Sequence, residues 1–333
     1  MQYKGLGTIF KFPLYHTGIW VTLKAPSDGR LLELHRQMVS DRLGVGRNTH
    51  GLSFANTAAY HNESLFEIAI EHIYQLSLSG DKPLREVISV HDIPTLIWGL
   101  ACTIWNTGYL YRRSCTHAPE ECNYVADGKI DLAKLSYVNT NALTEWQVKH
   151  MTNHQQNSMK WEDVERYQKE SLKSQKLEIK LDEGKPDEST MILRIPSAGE
   201  YFNMARRWLG EIVRAVELAI GSDASVTEKQ SEITNSCKST MMRQYGHWIE
   251  SIHFGGSQIV DRDTIELVLD RLSADDDCRE EFSVKVRKYI DDSTLSLFGI
   301  PTYTCPNCHR DQLIEGTKEG AAAILPIDFA ATF

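Results

Sequence analysis

The sequence predicts a helix-dominant α+β protein with two related lobes, each built from a β-hairpin, helices and a cysteine-bearing loop. Three observations carry this. Long stretches place apolar residues at helical spacing. Two short alternating stretches each run into a Pro-Ser-x-Gly turn. A Cys305-Pro306-Asn307-Cys308 motif near the C-terminus adds a zinc-ribbon-like knuckle.

In chain order, residues 8–14 and 19–23 flank a His-Thr-Gly turn and read as a hairpin. Pro26 ends the second strand, Ser27 can cap the following helix, and Gly29 supplies a permissive backbone. Residues 44–59 read as an exposed flexible loop; Gly44-Val45-Gly46-Arg47 lacks the third glycine and leading strand of a nucleotide-binding turn. Residues 64–78 read as a helix with Leu65, Ile68, Ala69, His72 and Leu76 along one face. Asp92 opens an apolar helix over 93–105, which holds Pro94 and Gly99 and is too short to span a bilayer.

Residues 143–175 scatter Trp146, Met151, Trp161 and Val164 among polar groups. This reads as a solvated connecting helix or helical hairpin, with a surface for partner helices as the alternative. The second half begins with hairpin strands at 176–181 and 191–195. Helical faces follow at 201–220, through Phe202, Ala205, Leu209, Ile212, Val213 and Val216, and at 263–272, through Ile265, Val268, Leu269 and Leu272.

The two halves repeat one another. Leu23-Lys24-Ala25-Pro26-Ser27-Asp28-Gly29 is echoed 170 residues later by Leu193-Arg194-Ile195-Pro196-Ser197-Ala198-Gly199. Leu34 then falls on Met204 and Arg36 on Arg206, and Asp92 is matched by Asp263 at an offset of 171. A cysteine pair follows in each half, Cys115 with Cys122 and Cys305 with Cys308, each ahead of an apolar-Asp-apolar segment. The organisation expected is a first lobe at residues 1–142, a connecting polar helix at 143–175, and a second lobe at 176–333.

Two thiolates separated by two residues can point at one tetrahedral Zn²⁺. A redox Cys-x-x-Cys opens a helix in a βαβ unit, whereas Thr302-Tyr303-Thr304 precedes this pair and a polar turn follows, which favours zinc. A structural zinc needs four ligands. Cys115 and Cys122 are the natural partners for Cys305 and Cys308, with His117 and His309 as alternates. Two free thiols in a polar loop is the competing reading of Cys115 and Cys122, whose x6 spacing is loose. Cys102, Cys237 and Cys278 are isolated, and Cys102 reads as a core thiol. His150 and His154 lie at i, i+4 without a third ligand and read as a solvated helix face.

The composition sets the classes. Hydrophobic residues at 41% and charged residues at 24% are globular values. A net charge of −9 disfavours duplex nucleic acid as a partner. No signal-like apolar segment is visible, so the expectation is folding in a reducing cytosol with cysteines as thiols or metal ligands. No His-Glu-x-x-His, Gly-x-Ser-x-Gly or phosphate-loop motif occurs, and the expectation is a non-enzyme.

In its order of features the chain resembles the baseplate hub proteins, also described as hub assembly proteins, of contractile-tailed, T-even-like bacteriophages. Three features carry the resemblance: the strand ending in Arg194-Ile195-Pro196-Ser197-Ala198-Gly199, the segment from Val90-His91-Asp92-Ile93-Pro94 to Tyr111 ahead of the first cysteines, and the terminal Cys-Pro-x-Cys with its apolar-Asp-Phe tail. The chain departs from the family in its spread first pair and in His309, which stands where a glycine follows the tight knuckles. The resemblance implies a structural component of the virion tail baseplate, met in the host cytoplasm during assembly. Its partners would be other baseplate, hub and tail proteins in an oligomeric assembly, without nucleic acid or a membrane span. The alternatives are a non-virion assembly chaperone, a zinc-ribbon nucleic-acid-binding regulator and, last, a metal-dependent hydrolase.

Overall fold

The computed structural model describes residues 8–48, 57–115, 117, 121–155, 158–170, 178–181, 189–221, 223–301, 304–310 and 324–326. It shows a helix-dominant α+β protein with small antiparallel sheets. Strands β1 (Ile9–Leu14) and β2 (Ile19–Lys24) pair antiparallel, and their alternation buries Phe12, Leu14, Ile19, Val21 and Leu23. Burying side chains of this size contributes roughly 1.5–3 kcal/mol each. Pro26 interrupts the strand, and the Ser27 hydroxyl accepts from Arg30 N–H as α1 (Asp28–Asn48) begins. Helix α2 (Thr57–Glu71) then leads into β3 (Ile73–Leu76), which pairs with β2 to give the order β1-β2-β3.

Two expectations change here. The helix read over 64–78 stops at Glu71, because Ile73-Tyr74-Gln75-Leu76 suits a strand and β2 offers it an open edge. Of the loop expected at 44–59, residues 44–48 continue α1 and 57–59 start α2, while 49–56 lie outside the described residues.

After α3 (Leu84–Val87) and a 3₁₀ turn at Val90–Asp92 comes α4 (Ile93–Ile104), buried along nearly its whole length. Its Trp98 ring meets Phe10 and Phe12 of the sheet and Phe298 of the second half, at centroid distances of 5.2, 5.7 and 5.5 Å. The hairpin of β4 (Tyr109–Ser114) and β5 (Val125–Ile130) follows, then a 3₁₀ turn at Leu132–Leu135 and β6 (Ser136–Val138).

The connector is two short helices, α5 (Glu145–Asn153) and α6 (Trp161–Glu170), and it is not solvated on all sides. Met151, Val164 and Tyr167 are buried. The Trp20 indole N–H donates to Met151 O at 2.8 Å, and the Tyr167 hydroxyl to Tyr15 O at 2.7 Å. His150, expected on a solvated face, is buried with Nε2 3.2 Å from Gly18 O. The polar composition hid this docking because only a narrow stripe of the pair faces the sheet.

The second half opens with β7 (Glu178–Leu181) and β8 (Ser189–Leu193), followed by α7 (Ala198–Ile220), α8 (Val226–Ser239) and a 3₁₀ stretch at Met241–Trp248. Strand β9 (Ile249–Phe254) returns beside β8, and β10 (Ser257–Ile259) completes the order β10-β9-β8-β7. Ser197 caps α7 in a reciprocal box with Glu200. The glycines of the two turns sit inside the first helical turn, so backbone permissiveness is not their use; at Gly199 a Cβ would lie 3.1 Å from Arg85 O. Helices α9 (Arg262–Ala274) and α10 (Asp276–Ser293) close a second core with Phe282, Val286 and Tyr289. The cap of α9 is Asp261, which accepts from Thr264 N–H; Asp263, the expected match of Asp92, lies two residues on, in the first turn.

The two sheets share a register. The pairing of β2 with β3 slips between Thr22 and Leu23, with Thr22 opposite Gln75 and Leu23 opposite Ile73. The pairing of β8 with β9 slips between Ile192 and Leu193, with Ile192 opposite Ser251 and Leu193 opposite Ile249. Lys24 N donates to His72 O, and Arg194 N to Trp248 O, directly after each slip.

The halves meet along a seam. Val90 N donates to Pro196 O and Ala198 N to Ile88 O. The buried Glu63 carboxylate is held by Arg85 from one side and by Arg206 of α7 from the other. A cleft of about 950 Å³ runs along this seam between α6 and the Arg194–Ser197 turn. Strand β11 (Ser296–Pro301) pairs with β6 of the first half and with β12 (Ile324–Pro326).

Candidate metal centre

Cys115 stands directly after β4 and Cys122 shortly before β5, so hairpin pairing brings the loose x6 loop to a closed tip. Cys305 and Cys308 occupy the turn after β11. Cys115 N donates to Tyr124 O at 2.9 Å, two residues past Cys122. Cys305 N donates to Arg310 O at 2.9 Å, two residues past Cys308. Each cysteine pair is therefore closed by the same main-chain bond. In the second turn His309 N also donates to Cys305 O at 2.9 Å. His309 takes φ 56°, the left-handed backbone that favours glycine.

The path of the chain delivers the two tips to one place. Strand β5 runs through one 3₁₀ turn into β6, and β6 is hydrogen-bonded to β11, which precedes Cys305 by four residues. The four sulfurs lie within 4.8 Å of one another. Cys115 Sγ is 3.8 Å from Cys308 Sγ, and Cys122 Sγ is 3.7 Å from Cys305 Sγ. A tetrahedron of thiolates around a zinc at about 2.3 Å has edges of about 3.8 Å. A disulfide would need about 2.05 Å, and none of the seven cysteines forms one. The residues fit a four-coordinate metal such as zinc. The alternates His117 and His309 do not belong to this group.

The electrostatics agree with a site built for a cation. Cys122 is pulled down to about 6, first by the Asn307 side-chain N–H at 3.4 Å and then by the Tyr124 backbone. At Cys308 the Arg310 backbone acts in the same direction, but desolvation and the three neighbouring sulfurs outweigh it and push the thiol up to about 11. Four crowded thiols cannot all ionise unaided; a bound metal supplies the missing positive charge and releases their protons. A surface ion pair between Arg310 and Glu121 links the two tips from outside. Being exposed, it adds little stability.

Composition and spacing singled out the four cysteines. Asn307, the Tyr124 and Arg310 carbonyls and the Glu121–Arg310 pair carried no sequence signal, because they act through backbone or through loop closure. Cys102 and Cys237 are buried away from the cluster, and burial is the first cause raising the Cys102 thiol, to about 12. The chain matches no family model, no curated protein and no solved structure.

Proposed function

We propose that this protein is a scaffold of two related lobes clipped together by a zinc-ribbon-like centre, and that it serves as a structural component of a contractile phage tail baseplate, in the hub region. The observation that carries the scaffold reading is the meeting of Cys115 and Cys122 from one half with Cys305 and Cys308 from the other. The repeat is supported by the matching slips at Thr22/Leu23 and Ile192/Leu193 and by the matching closure of each cysteine turn. If Cys115 is equivalent to Cys305 and Cys122 to Cys308, exchanging the halves turns the 3.8 Å contact into the 3.7 Å contact.

A set of four sulfurs leaves no position for substrate, which supports a role in holding structure rather than in catalysis. The metal would fix the hairpin of β4 and β5 against the turn after β11, and its binding energy would be folding energy. The baseplate assignment rests on the order of sequence features, with assembly through other hub and tail proteins. A nucleic-acid role is disfavoured by the net charge of −9 and by the pairing of Arg310, beside the centre, with Glu121.

The test is a protein inventory of purified phage particles by mass spectrometry. The expected result is a fixed copy number of this chain in intact tails. Its absence from particles, with presence in infected cells, would replace the structural role by that of a transient assembly chaperone.

A further inference from the structure

The cleft of about 950 Å³ along the seam is walled by both halves and by the connector between them. Helix α6 supplies Trp161 on one side, and the turn after β8 supplies Ile195 and Pro196 on the other. Its size lies at the upper end of the range for ligand sites, and clefts between structural units are where such sites concentrate. The lining carries the carboxylates of Glu86, Glu165, Glu200 and Glu250 against two cations, Lys169 and Arg194. The Arg194 guanidinium is tied to Glu200, and Lys82, from outside the lining, reaches Glu165 at 3.7 Å. With Lys82 counted the carboxylates still outnumber the cations. Glu86 is exposed and in no ion pair among the described residues. This balance favours a cationic occupant.

A polar group in the same wall shows what else the occupant must carry. His16 is 3% exposed and lines the cleft. Its Nε2 accepts from Leu295 N–H at 3.0 Å, so in the neutral ring the hydrogen sits on Nδ1. Burial is the first cause that keeps the ring neutral. Nδ1 has no hydrogen-bond partner among the described residues. A buried donor without an acceptor is destabilising, and an occupant with a carbonyl oxygen relieves it. A polyamine brings charge but no acceptor. An extended peptide brings both, with a carbonyl at every residue and a cation at each arginine or lysine. Trp161 shows how such a cation is received, since the Lys82 ammonium already stands 3.7 Å from its ring centroid.

We propose that the seam cleft is a docking site for an arginine-bearing peptide segment of a partner protein. A main-chain carbonyl of the segment accepts from His16 Nδ1–H, and its guanidinium is held by carboxylates of the cleft, Glu86 among them. Arginine suits the site better than lysine, because its planar fork pairs with both oxygens of a carboxylate and lies flat against an apolar or aromatic wall. A segment seated there touches the first hairpin, the connector and the turn of the second half together. The inference stands on the cleft and is independent of the baseplate assignment.

Isothermal titration calorimetry on the full, metal-loaded chain tests the proposal with three probes. They are the peptide acetyl-Ala-Ala-Arg-Ala-Ala-amide, the same peptide with citrulline (the neutral isostere) in place of arginine, and spermidine. The expected result is saturable binding of one arginine peptide per chain, about ten-fold or more tighter than that of the citrulline peptide or spermidine. Glu86→Lys is expected to weaken the arginine peptide by about ten-fold. Glu280→Lys, which makes the same charge change on α10 outside the cleft, is expected to leave it unchanged. Absence of saturable binding overturns the proposal. Equal affinity for the citrulline peptide or for spermidine does so too, as does a loss in Glu86→Lys no larger than in Glu280→Lys. Each variant is checked for full metal content and an unchanged melting temperature. A failure under those conditions counts against the cleft alone, and loss of metal with peptide binding intact counts against the sulfur clip alone.

Discussion

Asp92 anchors the turn between β1 and β2 from within the core. It occupies the cap position of α4, yet its carboxylate makes no cap hydrogen bond to that helix. One oxygen accepts from Thr17 N–H and the Thr17 hydroxyl at 2.6 Å each, and the other from His16 N–H at 3.3 Å. His16 Nε2 accepts from Leu295 N–H, and His91 Nε2 lies 2.8 Å from Ser293 Oγ, so the knot ties the first hairpin to the end of α10. Asp92→Ala strands three buried donors and is expected to lower unfolding stability by roughly 3 kcal/mol in denaturant titrations. Burial, against the bonds from Thr17 and His16, pushes Asp92 up to about 7. The folded chain therefore holds this proton more tightly than the unfolded chain does. The contribution is full below about 4 and is lost as pH rises through about 7. Burial moves His16 and His91 the other way, His91 to about 4, so their contribution is present at neutral pH and lost on acidification. Subtracting the stability curve of Asp92→Asn from that of the parent isolates the carboxyl. The difference is expected to shrink as pH rises from 4 to 7, and a flat difference would contradict the assignment. From sequence Asp92 read only as the opening of an apolar helix, since its acceptance of donors 75 and 76 residues away leaves no local trace.

Among elements, the turn between β1 and β2 shows why the connector packs where it does. Gly18 has φ +85°, and a Cβ there would lie 2.4 Å from the Tyr167 ring of α6. Gly18→Ala is expected to cost about 2–4 kcal/mol, read as a drop in the denaturation midpoint. Gly29→Ala, which meets nothing within 4 Å, is expected to be neutral or slightly stabilising. Both hairpins were legible because alternation and a Pro-Ser-x-Gly stop are local signals. Strand β3 was not, since four residues directly after a helix carry too little periodicity to separate from it. Helices α5 and α6 were read as polar because Met151, Val164 and Tyr167 are few among charged neighbours, although those few decide the docking. The pairing of β6 with β11 joins Tyr137 to Leu297, and short-range pattern does not encode it.

For the whole molecule, the four cysteines were legible as a set because the same landmarks recur in one order in both halves. The x6 spacing of Cys115 and Cys122 argued for free thiols, and only the hairpin of β4 and β5 shows how that spacing closes. The histidine alternates lie outside the group because the four sulfurs already supply a tetrahedron. The seam is tied by the sulfur cluster, by the buried knot at Asp92, by Glu63 between Arg85 and Arg206, and by main-chain bonds that include the pairing of β6 with β11. Only the first can be removed by a chelator.

The central claim is that sulfur from both halves encloses one structural metal. X-ray absorption spectroscopy at the zinc edge, with elemental analysis of the same sample, measures it directly. The account requires one zinc per chain with four sulfur neighbours at about 2.3 Å, lost together with thermal stability in Cys122→Ser and in Cys305→Ser. A stably folded chain without metal, or a metal bound through nitrogen or oxygen with an exchangeable water, would contradict it.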